Sequence, residues 1–293
     1  MSKLIVGCGY LGSRVARRWR NAGHEVFVVT RDAEHARRFA EERYQPIVAD
    51  VLRPASLAHL PAADTVLYAV GYDRGSGVSI HEVYASGLRS VLDALPGEPA
   101  RIIYTSSTGV YGQSQGETVD EESTTAPTRE GGRACLAAER ALAAHRLGHR
   151  GVVLRMAGLY GPGRIPLAGE IRRVRPIAAP QNGSLNLIHV DDAASAVLAA
   201  DERAVPPRTY VVSDGHPVER RRYYEELARL LGAPSPCFAT SPVDSPASAR
   251  AASDKRVDNA RMLGELRVRL AHPSYREGLA AIVAAQSTAP GDG

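Results

Sequence analysis

Apolar residues in this chain come in short runs punctuated by glycine and proline. Leu4-Ile5-Val6 is closed by a glycine, and the stretch from Leu11 to Asn21 then carries apolar side chains at helical spacing before Ala22-Gly23 ends it. That reads as strand, turn, helix. The unit recurs. Glu25 to Thr30, Pro46 to Ala49, Thr65 to Val70, Arg101 to Thr105 and Gly151 to Arg155 read as strands, and Asp32 to Glu42, Ser79 to Leu95 and Glu130 to Leu147 as helices. Strands alternating with helices at this spacing predict an α/β architecture: a doubly wound, Rossmann-type parallel sheet covered on both faces.

Past Arg155 the rhythm breaks. Tyr160-Gly161-Pro162-Gly163-Arg164 is a turn, and Asn186 to Val190 leads through Asp191-Asp192 into an alanine-rich helix for which an aspartate is the expected N-cap. A strand (Arg208 to Val212) and helices (Val218 to Leu231, Ser274 to Ala285) follow. The expected organisation is a Rossmann domain over 1–160, with 184–214 returning to it, and a smaller capping lobe within 161–293. The Pro/Ser/Ala stretch 233–252 is expected to be a mobile loop and 288–293 a disordered tail.

Composition narrows the function. Of 293 residues 44% are hydrophobic, which excludes disorder for most of the chain. The 36 basic residues exceed the 32 acidic ones only slightly and are scattered, so no nucleic-acid footprint is expected. No apolar run is long enough to span a membrane and the N-terminus enters a strand at once, which predicts a cytoplasmic protein. Cys8, Cys135 and Cys237 are too far apart for a disulfide framework or a metal site. Lys3 and Lys255 are the only lysines.

Candidate chemistry begins at Gly7-Cys8-Gly9-Tyr10-Leu11-Gly12, a GxGxxG placed between the first strand and the first helix. Gly7 permits the tight turn, Gly9 lets the backbone approach a pyrophosphate, and Gly12 lets helix and strand pack closely. The whole loop, Tyr10 and Leu11 included, is the expected seat of a dinucleotide. At the end of the second strand stands Arg31, a cation suited to the extra phosphate of NADP; its neighbour Asp32 could be mistaken for an acid that holds ribose hydroxyls. NADP(H) is the expected cofactor.

Several segments together resemble the extended short-chain dehydrogenase/reductase superfamily, in an atypical epimerase/dehydratase-like branch. They include Val48-Ala49-Asp50-Val51, Gly87 to Leu92, Tyr104 to Gly112, Leu154-Arg155 to Arg164, Asn186 to Asp192, Lys255 to Asn259 and Pro273 to Leu279. The resemblance implies that Asp50 faces the adenine, that Ala69 to Gly71 pass beside the cofactor ribose, and that Ser107 is the catalytic serine. It also implies a small-molecule substrate, a carbonyl compound or nucleotide-sugar, and a homodimer.

The family's YxxxK pair is missing. Anchored on Leu136-Ala137-Ala138-Glu139, the two positions hold Gly131 and Cys135, and Tyr84-Ala85-Ser86 stands where Asn or Asp would be expected before Gly87. Tyr111 is the nearest tyrosine in sequence that could supply a proton beside Ser107. Three readings stand side by side: an oxidoreductase or epimerase-like enzyme with a rearranged acid, an NADP(H)-binding sensor or scaffold without catalysis, and a structural oligomer with vestigial nucleotide binding. Cys8 and Cys135 are expected to be packing residues, and Arg155 a structural ion-pair partner.

Overall fold

The computed structural model describes residues 1–239 and 253–288. Most of the expected loop at 233–252, and all but the first residue of the expected tail, lie outside them.

Seven strands form the central sheet: β1 Ser2–Val6, β2 Glu25–Thr30, β3 Gln45–Val48, β4 Thr65–Tyr68, β5 Arg101–Ser107, β6 Gly151–Met156 and β7 Arg208–Val212. Their spatial order is β3-β2-β1-β4-β5-β6-β7, and every pairing is parallel. The order reverses between β1 and β4, the switch point at which doubly wound sheets bind ligands. Successive side chains of a strand face opposite ways, so the continuous apolar runs feed two cores at once. Leu4, Val6, Ile102 and Tyr104 join one core, with Leu88, Val91, Ala138 and Leu142 of helices α3 (Gly87–Ala94) and α4 (Glu130–Ala144). Ile5 and Ile103 join the other, with Val15 and Trp19 of an earlier helix, α1 (Gly12–Asn21). Between α1 and α3 lies α2 (Ala33–Glu41). Pro46, which cannot donate to a ladder, sits in the edge strand β3.

The remaining helices are α5 (Ala168–Arg172), α6 (Val190–Arg203), α7 (Arg220–Leu230), α8 (Ala260–Leu266) and α9 (Tyr275–Thr288). A separate apolar cluster joins Tyr160, Ile171, Ile177, Tyr223, Leu227, Leu279 and Ile282. Met262 and Leu266 of α8 instead join the α1 side of the sheet. One buried ion pair ties the first strand to α6. Lys3 Nζ lies 2.9 Å from Asp201 Oδ1, and the same carboxylate accepts from Thr65 Oγ1 (2.5 Å) and Trp19 Nε1 (3.0 Å).

Two sequence expectations are corrected. The N-cap of α6 is His189, whose Nδ1 accepts from the Asp191 backbone N–H at 3.2 Å. The aspartates fall inside the first turn, where Asp191 meets Arg14 at 3.1 Å and Asp192 accepts from the Ala271 and His272 backbone N–H groups. The stretch 79–95 is also not one regular helix. A π turn spans Glu82–Ser86, with the Gly87 N–H bonded to the Glu82 carbonyl, and α3 begins only at Gly87. The Tyr68 hydroxyl donates to the Val83 carbonyl at 2.6 Å, a tertiary contact that no local periodicity announces.

Candidate active site

A cavity of about 450 Å³ opens at the carboxyl ends of β1, β2 and β4. Gly7, Gly9, Arg31, Asp50 and Gly71 line it, and so do Cys8, His35, Asp73, Ser76 and Val83. The glycines divide the work as their spacing suggests. Gly7 has φ +96°, and a Cβ on it would lie 2.6 Å from the Ala69 carbonyl; a Cβ on Gly12 would lie 2.3 Å from the Gly7 carbonyl oxygen. A Cβ on Gly9 would meet no atom within 4 Å. Two glycines therefore make the turn compact while the middle one leaves room for a ligand, the arrangement a pyrophosphate requires. The residues present fit a dinucleotide.

Leu11 is buried in the core behind the loop and Ala69 packs against Gly7; neither lines the cavity. Tyr10 turns outward, donating to the Pro162 carbonyl at 3.2 Å and stacking with Arg14 and Arg164 at 4.4 and 5.3 Å. At the end of β2, Asp32 caps α2 by accepting from the Glu34 N–H at 2.7 Å, which holds its carboxyl below the usual range. Arg31 is exposed on the cavity wall with His35 beside it. Asp50 accepts from the Leu52 N–H at 3.0 Å.

The expected catalytic pair stands apart from this cavity. The Ser107 hydroxyl accepts from the Gly109 N–H at 3.0 Å at the end of β5. Tyr111 is 2% exposed, and its hydroxyl accepts from Arg155 Nη1 at 2.9 Å. Arg155 also grips Glu139 (Nη2 to Oε2 2.8 Å), and Glu139 accepts from Ser106 Oγ at 2.5 Å. Arg155 is thus the ion-pair partner its sequence context suggested. Burial pushes the Tyr111 phenol up to about 12 against the opposing pull of Arg155.

Two positions on α4 stand where the YxxxK residues are missing. A Cβ on Gly131 would meet only the Ile80 side chain, at 3.9 Å, whereas its neighbour Gly132 is pressed onto the Gly109 carbonyl, 2.1 Å from where its Cβ would stand. Cys135 is 6% exposed and burial raises its thiol to about 11; Cys8 is raised to about 12 for the same reason. Neither is an activated thiolate.

Sequence reasoning assigned no role to Lys255. Lys255 Nζ donates to the Tyr111 carbonyl (2.9 Å) and Ser253 Oγ (3.1 Å); burial, with Arg129 and Arg220 nearby, lowers it to about 8. Only the fold could bring it there, from 144 residues away in sequence. Among the described residues one cluster has metal-ligating types, His189, Asp192 and His272. Its rings are stacked at 3.7 Å, and the Asp192 oxygens are engaged by backbone N–H groups and His272 Nδ1.

This fold, with a glycine cradle at its switch point, defines a class of dinucleotide-binding proteins. The model of the NAD dependent epimerase/dehydratase family matches residues 4–213, and the chain belongs to that family. Among curated proteins it is similar to Protein YeeZ of Escherichia coli K12, 32% identical across 92% of this chain and 95% of that one. It is 29% identical to a 3-diazoavenalumate denitrifying reductase of a Streptomyces species, over 95% of this chain and 99% of the other. The solved UDP-glucose 4-epimerase of Thermotoga maritima shares the fold, with TM-score 0.81 at 18% identity over 98% and 99% of the two chains. No described helix is long and apolar enough to cross a membrane.

Proposed function

We propose that the protein is an NADP(H)-dependent oxidoreductase acting on a small carbonyl or sugar-type substrate. One observation carries the cofactor choice: Arg31 stands on the cavity wall while the neighbouring carboxylate, Asp32, is spent on capping α2. A guanidinium there forks onto a ribose phosphate. Gly7 to Gly12 would hold the pyrophosphate, Asp50 the adenine, and Gly71 the passage toward the nicotinamide ribose. When bound, the reduced nicotinamide supplies a hydride. Ser107, at the carboxyl end of β5, holds the substrate oxygen. A reductase related over nearly the whole chain supports reduction as the direction.

Calorimetric titration tests this reading. NADPH should bind roughly 10- to 100-fold more tightly than NADH, as a charge-assisted contact worth about 1.5 to 3 kcal/mol implies, and Arg31→Ala should remove the preference. Equal affinities in the unaltered protein would discard it. The second reading, a cofactor-binding sensor without turnover, is favoured by Gly131 and Cys135 in place of the proton-transfer pair. Oxidation of NADPH with any member of a carbonyl panel, absent in Gly9→Val, would exclude the sensor.

A further inference from the structure

Two cavities meet at the end of β2, and Arg31 and His35 line both. The first is the dinucleotide cavity described above. A second, of about 660 Å³, is lined by Thr30, Arg31, Asp32, Ala33 and His35. The guanidinium and the imidazole therefore stand where the two spaces adjoin. Between them in sequence lies Asp32, whose two carboxylate oxygens have different surroundings. Oδ1 accepts from the Glu34 N–H at 2.7 Å and caps α2, which keeps the carboxyl ionised at neutral pH. Oδ2 faces the imidazole, with His35 Nδ1 3.8 Å away. An acid, an arginine and a histidine thus share the place where a phosphate on the adenosine ribose would sit.

Resting on the cofactor reading above, we propose that His35 sets how strongly NADP(H) is preferred over NAD(H), and that it does so according to pH. Histidine is the side chain whose charge changes between pH 5 and 8. With a proton on both nitrogens, the ring neutralises Asp32 Oδ2 and adds a second cation beside Arg31, so a ribose phosphate is drawn in. With one proton fewer, the carboxylate confronts the phosphate and repels it, and the same Oδ2 is left to accept from a ribose hydroxyl. The surrounding charges are few. α2 packs on β2 and β3, which bring Arg31 and Asp50 to the cavity, and the segment after β4 brings Asp73. Cys8, on the same wall, keeps its proton. On the helix itself Glu34 and Arg38 pair with each other at 3.7 Å.

The test needs no known substrate. Calorimetry gives the affinities for NADPH and NADH between pH 6 and pH 8, and the readout is their ratio. From pH 8 to pH 6 the preference for NADPH should rise about three- to fivefold more in the unaltered protein than in His35→Gln. The glutamine variant is the control, because a ribose phosphate itself titrates near pH 6 and does so against both proteins. His35→Arg, charged throughout, should hold the higher ratio even at pH 8. Asp32→Asn keeps a capping side chain and should raise the ratio at pH 8 by removing the repulsion. NADPH binding measured in buffers of different ionisation enthalpy should take up more protons at pH 7 in the unaltered protein than in His35→Gln. A ratio that follows pH alike in those two proteins overturns the role of His35. A preference for NADPH that ignores pH but vanishes in Arg31→Ala also rejects His35 while keeping the cofactor reading; equal affinities at every pH defeat that reading, and this proposal with it.

Discussion

Replacing Asp201 by Asn breaks a buried ion pair between β1 and α6. Asp201 is 6% and Lys3 2% exposed, and the carboxylate takes hydrogen bonds from Lys3, Thr65 and Trp19. An amide of the same shape keeps one acceptor and turns the other into an NH₂ donor aimed at groups that also donate. It leaves the Lys3 ammonium buried without a counter-charge. Breaking a buried pair in this way costs about 3 to 5 kcal/mol. At roughly 2 to 4 °C per kcal/mol for a chain of a few hundred residues, Tm should fall by about 6 to 20 °C. Thermal unfolding followed by circular dichroism, with urea titration at constant temperature, measures both quantities. The double variant Lys3→Met/Asp201→Leu removes both charges and should recover most of the loss, because such a pair is worth little more than well-packed apolar residues. The reasoning is refuted if Asp201→Asn unfolds within about 1 kcal/mol of the unaltered protein, or if the double variant is as unstable as the single one.

Gly9→Val should weaken dinucleotide binding at least about 100-fold while Tm stays within a few degrees, because the added side chain points into open space; Gly12→Ala should instead lower Tm, its Cβ clashing with the Gly7 carbonyl. Tyr111→Phe removes the partner of a buried guanidinium and should cost about 1 to 3 kcal/mol in urea unfolding with NADPH affinity unchanged. Burial beside His272 lowers His189 to about 4 in the folded chain, below the ordinary 6.5. Its contribution to stability is complete above pH 6.5 and is lost as the pH falls toward 4, because the unfolded chain takes up the proton first. His189→Asn keeps a capping acceptor, so a plot of Tm against pH should be flatter for the variant across that window.

The strands were legible because buried parallel strands are runs of apolar residues, and the glycine loop because its three positions each answer a steric demand. Arg155 could be read as an ion-pair partner because a guanidinium inside an apolar strand needs an acid. Three features escaped. The cap of α6 went to His189 because the preceding strand ends one residue earlier than the aspartates suggest, and Asp192 was claimed by a loop 79 residues away. The π turn depends on a hydroxyl of β4 reaching into the helix. Lys255 reaches the Tyr111 carbonyl through folding alone, and no spacing in the sequence links the two.

The surroundings of Gly131 and Cys135 also decide what each position can accept. Space is open for a Cβ at Gly131, whose nearest neighbour would be Ile80 Cδ1 at 3.9 Å. Cys135 is closed in, a member of a buried apolar cluster against which Tyr84 packs. Restoring a proton-transfer pair is therefore two problems of different size: at 131 a side chain begins in open space, and at 135 it begins inside a packed apolar cluster.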